Sequence, residues 1–452
     1  MRCNMTHSSA QTASVFCFTG VPPLGQTIPL GLQHVVAAVV GVITPAMIIS
    51  GTCGLKAAEE TLMVQVSLIL TAVATLLQLF PLFRRIGARL PVVMGISFAY
   101  VPTLTAIGGQ FGLSTILGAE IIGGCVAIVF GIFVKQIRIF FPPLVTGTVI
   151  FTIGLSLYPT AVRYMAGGSA DSPWFGGLRS WSVALITFGV VVFLNHFTRG
   201  IWRLGALLFG MIVGYLTALC FGIVDLSKVG PAAWFALPAV MPFRIEFVPA
   251  ASVSLAIVYV VNAVQTIGDL SSTTMGGMER MPTDRELSGG IVAQGLMSIV
   301  GAFFGGLPTA SYSQNVGIVT VNKVINRAVF AFAALVLLVA GLMPKLAAAL
   351  TTIPQCVIGG ATLSVFAAIT MTGIRMITGD GVFTARKSTV VGLSVALGVG
   401  ITQVPGCLAG SGFPDWVTTV FGSSSVVVAT LMAILLNLIL PKDRTERKAE
   451  EK

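Results

Sequence analysis

Five consecutive hydrogen-bonding residues, Ser311, Tyr312, Ser313, Gln314 and Asn315, open the stretch SYSQNVGIVTVNK (311–323) between two apolar segments. Gln314 offers one acceptor and two donors, a set that matches the edge of a planar, amide-containing ring. Upstream, VNAVQTIGDLSSTT (261–274) carries Gln265 and Asp269 at i, i+4, which places both on one helix face within reach of a single ligand. Phe98, beside Ser97 in MGISFAYVPT (94–103), and Tyr312 supply aromatic faces suited to stacking on such a ring. Gln and Asn in an apolar span can also serve only to hold helices together. The partners at 98, 265 and 269 favour a binding site, and a heterocycle suits the set better than a simple inorganic ion does.

Asp269 and Glu120 are the acidic residues that fall within apolar spans, where ionisable groups are functional by default. Asp269 has a structural alternative, capping the next half-helix or pairing with an Arg. Glu120, flanked by Gly118 and Gly123, is expected to be bonded across a helix contact. An enzyme is not expected: no Ser-His-Asp set, metal cluster or phosphate-binding loop appears, and His7 and His196 lie in a tail and at a span end. No cofactor or metal is expected either. The seven cysteines are scattered without a CxxC pair and read as reduced, apolar fillers.

The elements that must position these groups follow from composition. Of 452 residues, 55% are hydrophobic and only 9% charged, against roughly 25% charged in an average soluble domain. This predicts an all-α polytopic membrane protein. Apolar windows long enough for a crossing of about 20 residues lie near 28–50, 62–83, 113–134, 143–162, 181–198, 204–223, 250–270, 288–306, 328–344, 354–374, 388–405 and 423–440. Two more, 91–108 and 307–322, are interrupted by Pro, Gly and Ser. Irregular backbone is tolerated at membrane depth only inside protein or along a cavity, so both are expected to be short extended and half-helix segments in the interior. They would be the third and tenth of fourteen.

Fourteen segments divide into two sevens. PPLVTGTVIF (142–151) and PQCVIGGATL (354–363) echo each other, with Pro142 and Gly147 matching Pro354 and Gly359. Seven is odd, so the repeats are expected to be inverted, about 25–224 and about 248–440 within a transmembrane domain of 25–440. Paired discontinuous segments in such repeats point to a transporter's site near the midplane. Half-helix amino termini there would favour an anionic or strongly polarised ligand.

The net charge of +10 reads as topology. With a cytoplasmic amino terminus, twenty cations fall inside (Arg2, Arg84, Arg85, Arg89, Lys135, Arg138, Arg199, Arg203, Arg280, Arg285, Lys323, Arg327, Arg375, Arg386, Lys387 and five in the tail). Six fall outside (Lys56, Arg163, Arg179, Lys228, Arg244 and Lys345), as the positive-inside rule requires. No nucleic-acid partner is implied. Tails of 1–24 and 441–452 would both be cytoplasmic, residues 1–24 carry no signal-peptide pattern, and a cytoplasmic membrane is the expected location.

QNVGIVTVNK (314–323) resembles the signature of the nucleobase-ascorbate transporters, also called nucleobase:cation symporter-2. PPLGQTIPLGLQHVVA (22–37), with His34, GISFAYVPT and QTIGDLSS resemble the family's first, third and eighth segments. The resemblance implies a seven-plus-seven fold with a core domain moving against a gate domain, elevator-like, in a homodimer. It implies that Gln314 and the residue at 265 clamp a purine edge and that Asp269 supports the site. Asn315 would hold local structure, while Ser97, Phe98, Tyr312 and Ser313 would complete the pocket around the ring. His34 would tune affinity, and the region containing Gly317, Asn322 and Lys323 would set selectivity. Gln314 resembles the purine-type branch, and Lys323 leans towards xanthine and urate.

Three residues depart from the family pattern: Asn322 replaces Thr, Gln265 stands where most relatives have Glu, and Gln294 where many have Asp. An amide cannot titrate, so coupling to H⁺ would fall to Asp269 or Glu120. Coupling to Na⁺ and uncoupled facilitation remain open, as do an anion transporter of the sulfate or bicarbonate type on the same fold and a non-transporting sensor.

Overall fold

The computed structural model describes residues 14–441 except 84, 138–141, 169–171, 173, 228, 380–382, 405, 409, 411, 413, 414 and 423. Most of both expected tails, Arg2, Arg84, Arg138, Lys228, the five tail cations, Cys3, His7 and part of the 167–177 loop lie outside the described residues.

Long apolar runs form helices because every backbone N–H must be satisfied within its own segment in lipid. In chain order these are α1 (Leu24–Thr52), α2 (Ala57–Leu79), α3 (Val101–Phe111), α4 (Leu113–Ile132), α5 (Val134–Ile137) and α6 (Pro143–Met165). Then come α7 (Leu178–Phe197), α8 (Ile201–Leu204), α9 (Ala206–Cys220), α10 (Pro249–Met278), α11 (Asp284–Phe303) and α12 (Ser313–Asn322). The last are α13 (Arg327–Gly341), α14 (Pro344–Thr351), α15 (Gln355–Thr378), α16 (Ala385–Gln403), α17 (Asp415–Gly422) and α18 (Ser425–Ile439). Among the described residues, eight helices are long and apolar enough to cross a membrane, or nine if α13 and α14, bent by 83° at their junction, form one span. The helices α9 and α18, at 15 residues each, are shorter than that criterion requires.

Among the described residues, the interrupted third and tenth segments are the two places where the helical pattern gives way to strand. Met94–Ile96 (β1) pairs antiparallel with Thr309–Ser311 (β2), Gly95 facing Ala310. After each strand the chain enters a half-length helix, α3 by way of a 3₁₀ turn at Phe98–Tyr100 and α12 directly after Tyr312. Strand groups without ladder partners find side chains: Thr75 Oγ1 donates to the Met94 carbonyl and accepts from the Met94 N–H, both at 3.2 Å. The Thr309 N–H donates to Ser298 Oγ at 3.1 Å, and the Tyr312 N–H to the Val93 carbonyl at 3.0 Å.

The two halves form an inverted repeat. A shift of 212 residues carries the start of α3, Val101, onto the start of α12, Ser313, and the start of α6, Pro143, onto that of α15, Gln355. The same shift carries Gly147 onto Gly359 and Ala161 onto Gly373. A Cβ on Gly147 would lie 3.0 Å from the Gly373 carbonyl oxygen, and one on Gly359 would lie 2.9 Å from that of Ala161. The start of each of α6 and α15 therefore lies against the end of the other, antiparallel, with a glycine at each close approach. The pairing of neighbours follows the same symmetry: α4 packs on α10 and α11 while α13 packs on α1 and α2, and α15 packs on α7 and α9 while α6 packs on α16 and α18.

The glycine clasp leaves no room for a methyl group. A Cβ at Gly359 would stand 2.3 Å from the Met165 backbone nitrogen, and backbone cannot rotate away. Gly359→Ala is expected to destabilise the protein by about 1–3 kcal/mol, as overpacking does. Gly392→Ala in α16, where nothing lies within 4 Å, should cost nothing. Thermal denaturation of the two detergent-solubilised variants checks this, and equal melting temperatures would contradict it.

Candidate functional site

The strand pair, the 3₁₀ turn after β1 and the first turn of α12 border a cavity of about 430 Å³. Ser97, Phe98, Ser311, Tyr312, Ser313 and Gln314 come from these segments, Gln265 from α10, Ala37 and Gly41 from α1, and Ser364 and Thr372 from α15. Two elements that are not continuous helices thus deliver a dense set of polar groups to one space.

Gln314 is exposed in this cavity, and among the described residues its amide makes no hydrogen bond to protein. Gly41 makes room for it: the Gln314 Nε2 lies 3.2 Å from where a Cβ would stand there. The Gln265 Nε2 reaches Ser313 Oγ at 3.4 Å, a long contact that leaves the Gln265 carbonyl oxygen uncommitted. Phe98 packs edge-to-face on Phe366 of α15, ring centroids 5.3 Å apart. The Tyr312 hydroxyl donates to the Ile96 carbonyl at 2.6 Å, so its ring is pinned across the strand pair and its oxygen is spent.

Asp269 does not line the cavity. Its carboxylate accepts from Ser311 Oγ at 2.5 Å and from Ser313 Oγ at 2.8 Å. The i, i+4 spacing does place Gln265 and Asp269 on one face, where both reach Ser313. Asp269 therefore ties the end of β2 and the start of α12 to α10.

Behind it runs a buried polar network. Ser311 Oγ also approaches Thr266 Oγ1 at 3.3 Å, and Thr266 donates to the Gln294 Oε1 at 2.7 Å. The Gln294 Nε2 donates to Asn262 Oδ1 at 2.7 Å and to the Tyr100 hydroxyl at 3.0 Å. Gln294, read from sequence only as a departure from a pattern, is the hub joining α10, α11 and the third segment.

Asn315 and His34 meet away from the cavity. Asn315 Nδ2 donates to the His34 carbonyl and to its Nδ1, both at 3.1 Å, while the His34 ring packs on Phe330 at 4.3 Å. This pair fastens α12 to α1. Asn322 Nδ2 reaches Gln33 Oε1 at 3.5 Å, and Lys323, in the left-handed region at φ 57°, caps α12 and donates through Nζ to the Gly276 carbonyl. Gly317 is exposed one turn beyond Gln314 with nothing within 4 Å of a Cβ.

Glu120 requires a correction. It is fully buried in α4, and neither carboxyl oxygen has a hydrogen-bond partner among the described residues, so it is not bonded across a helix contact. The flanking glycines bring α4 close to other chain, but Gly118 faces the Glu246 carbonyl and Gly123 the Tyr259 ring, and neither presents a donor to the carboxyl group.

Sequence reasoning missed Gly41, Asn195, Arg203, Ser364 and Thr372 as cavity residues. The Ser364 Oγ is buried without a hydrogen-bond partner among the described residues. The internal repeat was the one available signal for α15, since it matched the helix to α6 but not to the cavity.

A profile described as a permease family matches residues 25–407. The chain is 32% identical to the xanthine permease of Bacillus subtilis over 94% of its own length and 96% of that protein. It is 36% identical to the uric acid permease PucK of the same organism, over 91% and 95%. With the uric acid transporter UacT of Escherichia coli the identity is 30%, over 92% and 86%. In fold it is similar to the transmembrane domain of a cyanobacterial bicarbonate transporter, BicA, with a TM-score of 0.60 at 15% identity over 91% of this chain and 97% of that one. These are membrane transporters and not enzymes, and the chain belongs to this permease family, the nucleobase-ascorbate transporters.

Proposed function

We propose that the protein is a purine permease that carries xanthine, urate or both across the cytoplasmic membrane by alternating access. The observation that carries this reading is the Gln314 amide, open to the cavity with no protein partner among the described residues. The half-free Gln265 amide and the aromatic rings of Phe98 and Tyr312 line the same cavity. Two amides can hydrogen-bond the edge of an oxidised purine, whose ring nitrogens and carbonyls alternate donors with acceptors. The names of the curated relatives support the same substrate class.

A second cavity of about 610 Å³ supports alternating access. Along α1 the first cavity touches Ala37 and Gly41, and the second touches Ile48, Gly51 and Thr52. Along the third segment the first ends at Ala99 and the second begins at Pro102, with Tyr100 and Val101 fully buried between. Two openings stacked along the same elements suit a site exposed first to one side and then to the other. In this proposal α1–α4 and α10–α14 form the moving core and α6–α9 and α15–α18 the gate, which also dimerises. Both termini are cytoplasmic, so the first cavity, bordered by the α7–α8 corner, opens inward. Selectivity is tuned around Gly317, Asn322 and Lys323. Transport is coupled to H⁺ through Asp269 or Glu120, with Na⁺ as the other coupling ion.

Uptake of radiolabelled xanthine and urate into cells lacking purine permeases tests this, with and without a protonophore and with and without Na⁺. Concentrative purine uptake that collapses with the protonophore is expected. Absence of purine uptake, together with uptake of sulfate or bicarbonate, would replace the reading by that of an anion carrier.

A further inference from the structure

Among the described residues, one formally charged side chain lines the substrate cavity. Arg203, on the short α8, reaches its border beside Asn195 of α7. Among the described residues Arg203 makes no ion pair or hydrogen bond, and the acid that approaches the cavity, Asp269, is satisfied by Ser311 and Ser313 behind the lining. The corner that holds Arg203 is fixed, since Trp202 packs on Phe209 with ring centroids 4.7 Å apart and Gly205 sits against Val36 and Phe209. The amino-terminal turn of α12 borders the same space through Ser313 and Gln314, and it adds the positive end of a helix dipole. Among the described residues no carboxylate lines the cavity, and the Asp269 carboxylate lies behind the wall, held by Ser311 and Ser313, so the border at Arg203 is its positively charged part.

From this placement we infer that Arg203 is a specificity-determining residue that favours the monoanionic form of the substrate, so that the preferred cargo is an oxidised purine carrying a negative charge. The inference rests on the purine-permease reading above and deepens it. Gln265 and Gln314 read the edge of the ring from one wall, and Arg203, with Asn195 donating beside it, meets the charge from the other. A guanidinium is always charged and presents several N–H donors in one plane, which fits the delocalised anion of an oxopurine. A neutral purine gains the amide contacts without the charge contact.

The test is equilibrium binding of radiolabelled urate and xanthine to the purified protein in nanodiscs, at mildly acidic pH where urate is an anion and xanthine is neutral. In Arg203→Gln the ratio of urate to xanthine affinity should fall by about tenfold, the equivalent of ~1.4 kcal/mol, and Arg203→Lys should recover most of it. Urate binding to the wild-type protein should weaken as salt rises, as expected of a partly exposed charge contact, and Arg203→Gln should remove that dependence. A ratio within twofold of wild type, a loss that Lys does not recover, salt dependence that survives in Arg203→Gln, or a wild-type protein that binds xanthine but not urate would overturn the inference. A wild-type protein that binds neither purine would instead overturn the permease reading itself.

Discussion

Replacing Gln314 with Ala is expected to lower purine uptake by about one to two orders of magnitude while leaving the melting temperature unchanged. The two halves of this expectation have separate physical grounds. Among the described residues the amide makes no hydrogen bond to protein, so its removal breaks none of the described bonds that hold α12 in place. Ala at the second position of a helix is also a good helix former. A bound purine, by contrast, would lose a bidentate partner and bury its own donor and acceptor unpaired. That costs about 1–3 kcal/mol, and each 1.4 kcal/mol is about tenfold in affinity. Gln314→Glu sharpens the test, since it keeps the length and an acceptor but removes both donors. Uptake kinetics beside thermal denaturation decide the matter. A variant that transports as well as wild type removes Gln314 from the site, and one that loses transport and melting temperature together makes it a structural residue.

The parts of the site that were legible in the sequence are those whose chemistry is out of place in an apolar chain. SYSQN, QTIGD and the Pro- and Gly-broken third segment stand out because polar side chains and interrupted helices are costly in lipid. The equivalent places of the third and tenth segments in the two halves were legible from the repeat that Pro142, Gly147, Pro354 and Gly359 disclose, whereas their pairing as antiparallel strands is shown only by the structure. What stayed hidden belongs to residues that are ordinary for their surroundings. Gly41 matters for what it lacks, since Gln314 fills the space beside it. Ser364 and Thr372 are unremarkable on α15 until the fold turns that helix towards the strand pair. Arg203 was read as one of many inside cations, and only the α7–α8 corner distinguishes it. Gln294 illustrates the reverse error. Without a titratable proton it looked like a loss, yet its amide holds Thr266, Asn262 and Tyr100 at once, which demands both a donor and an acceptor. Span counting was limited by geometry: α13 and α14 meet at 83° and α9 and α18 have 15 residues each, so hydropathy windows of fixed length blur where a segment bends or stops.

Asp269 separates two roles that a single knockout would confuse, and the expected results differ sharply between Asp269→Ala and Asp269→Asn. With Ala, the hydroxyls of Ser311 and Ser313 lose the acceptor they share. Hydrogen bonds to a charged group are worth about 1.5–3 kcal/mol each, and the junction of β2 and α12 that presents Gln314 would loosen. Uptake should fall by about a hundredfold or more, with a lower melting temperature. Asn keeps one acceptor and gains a donor, and Ser311 can redirect towards Thr266, already 3.3 Å away. The brace should therefore survive largely intact, with near-wild-type stability and purine binding. An amide cannot exchange a proton, so if Asp269 is the coupling group, Asp269→Asn should still exchange labelled purine for preloaded purine yet no longer accumulate it against a gradient. Counterflow and net uptake in the same vesicles read the two activities independently. Concentrative, protonophore-sensitive uptake by Asp269→Asn would show that the carboxylate is only a brace. The coupling proton would then have to reside elsewhere, and Glu120, buried in α4 with both carboxyl oxygens unpartnered among the described residues, would become the group to neutralise, by Glu120→Gln, in the same assay.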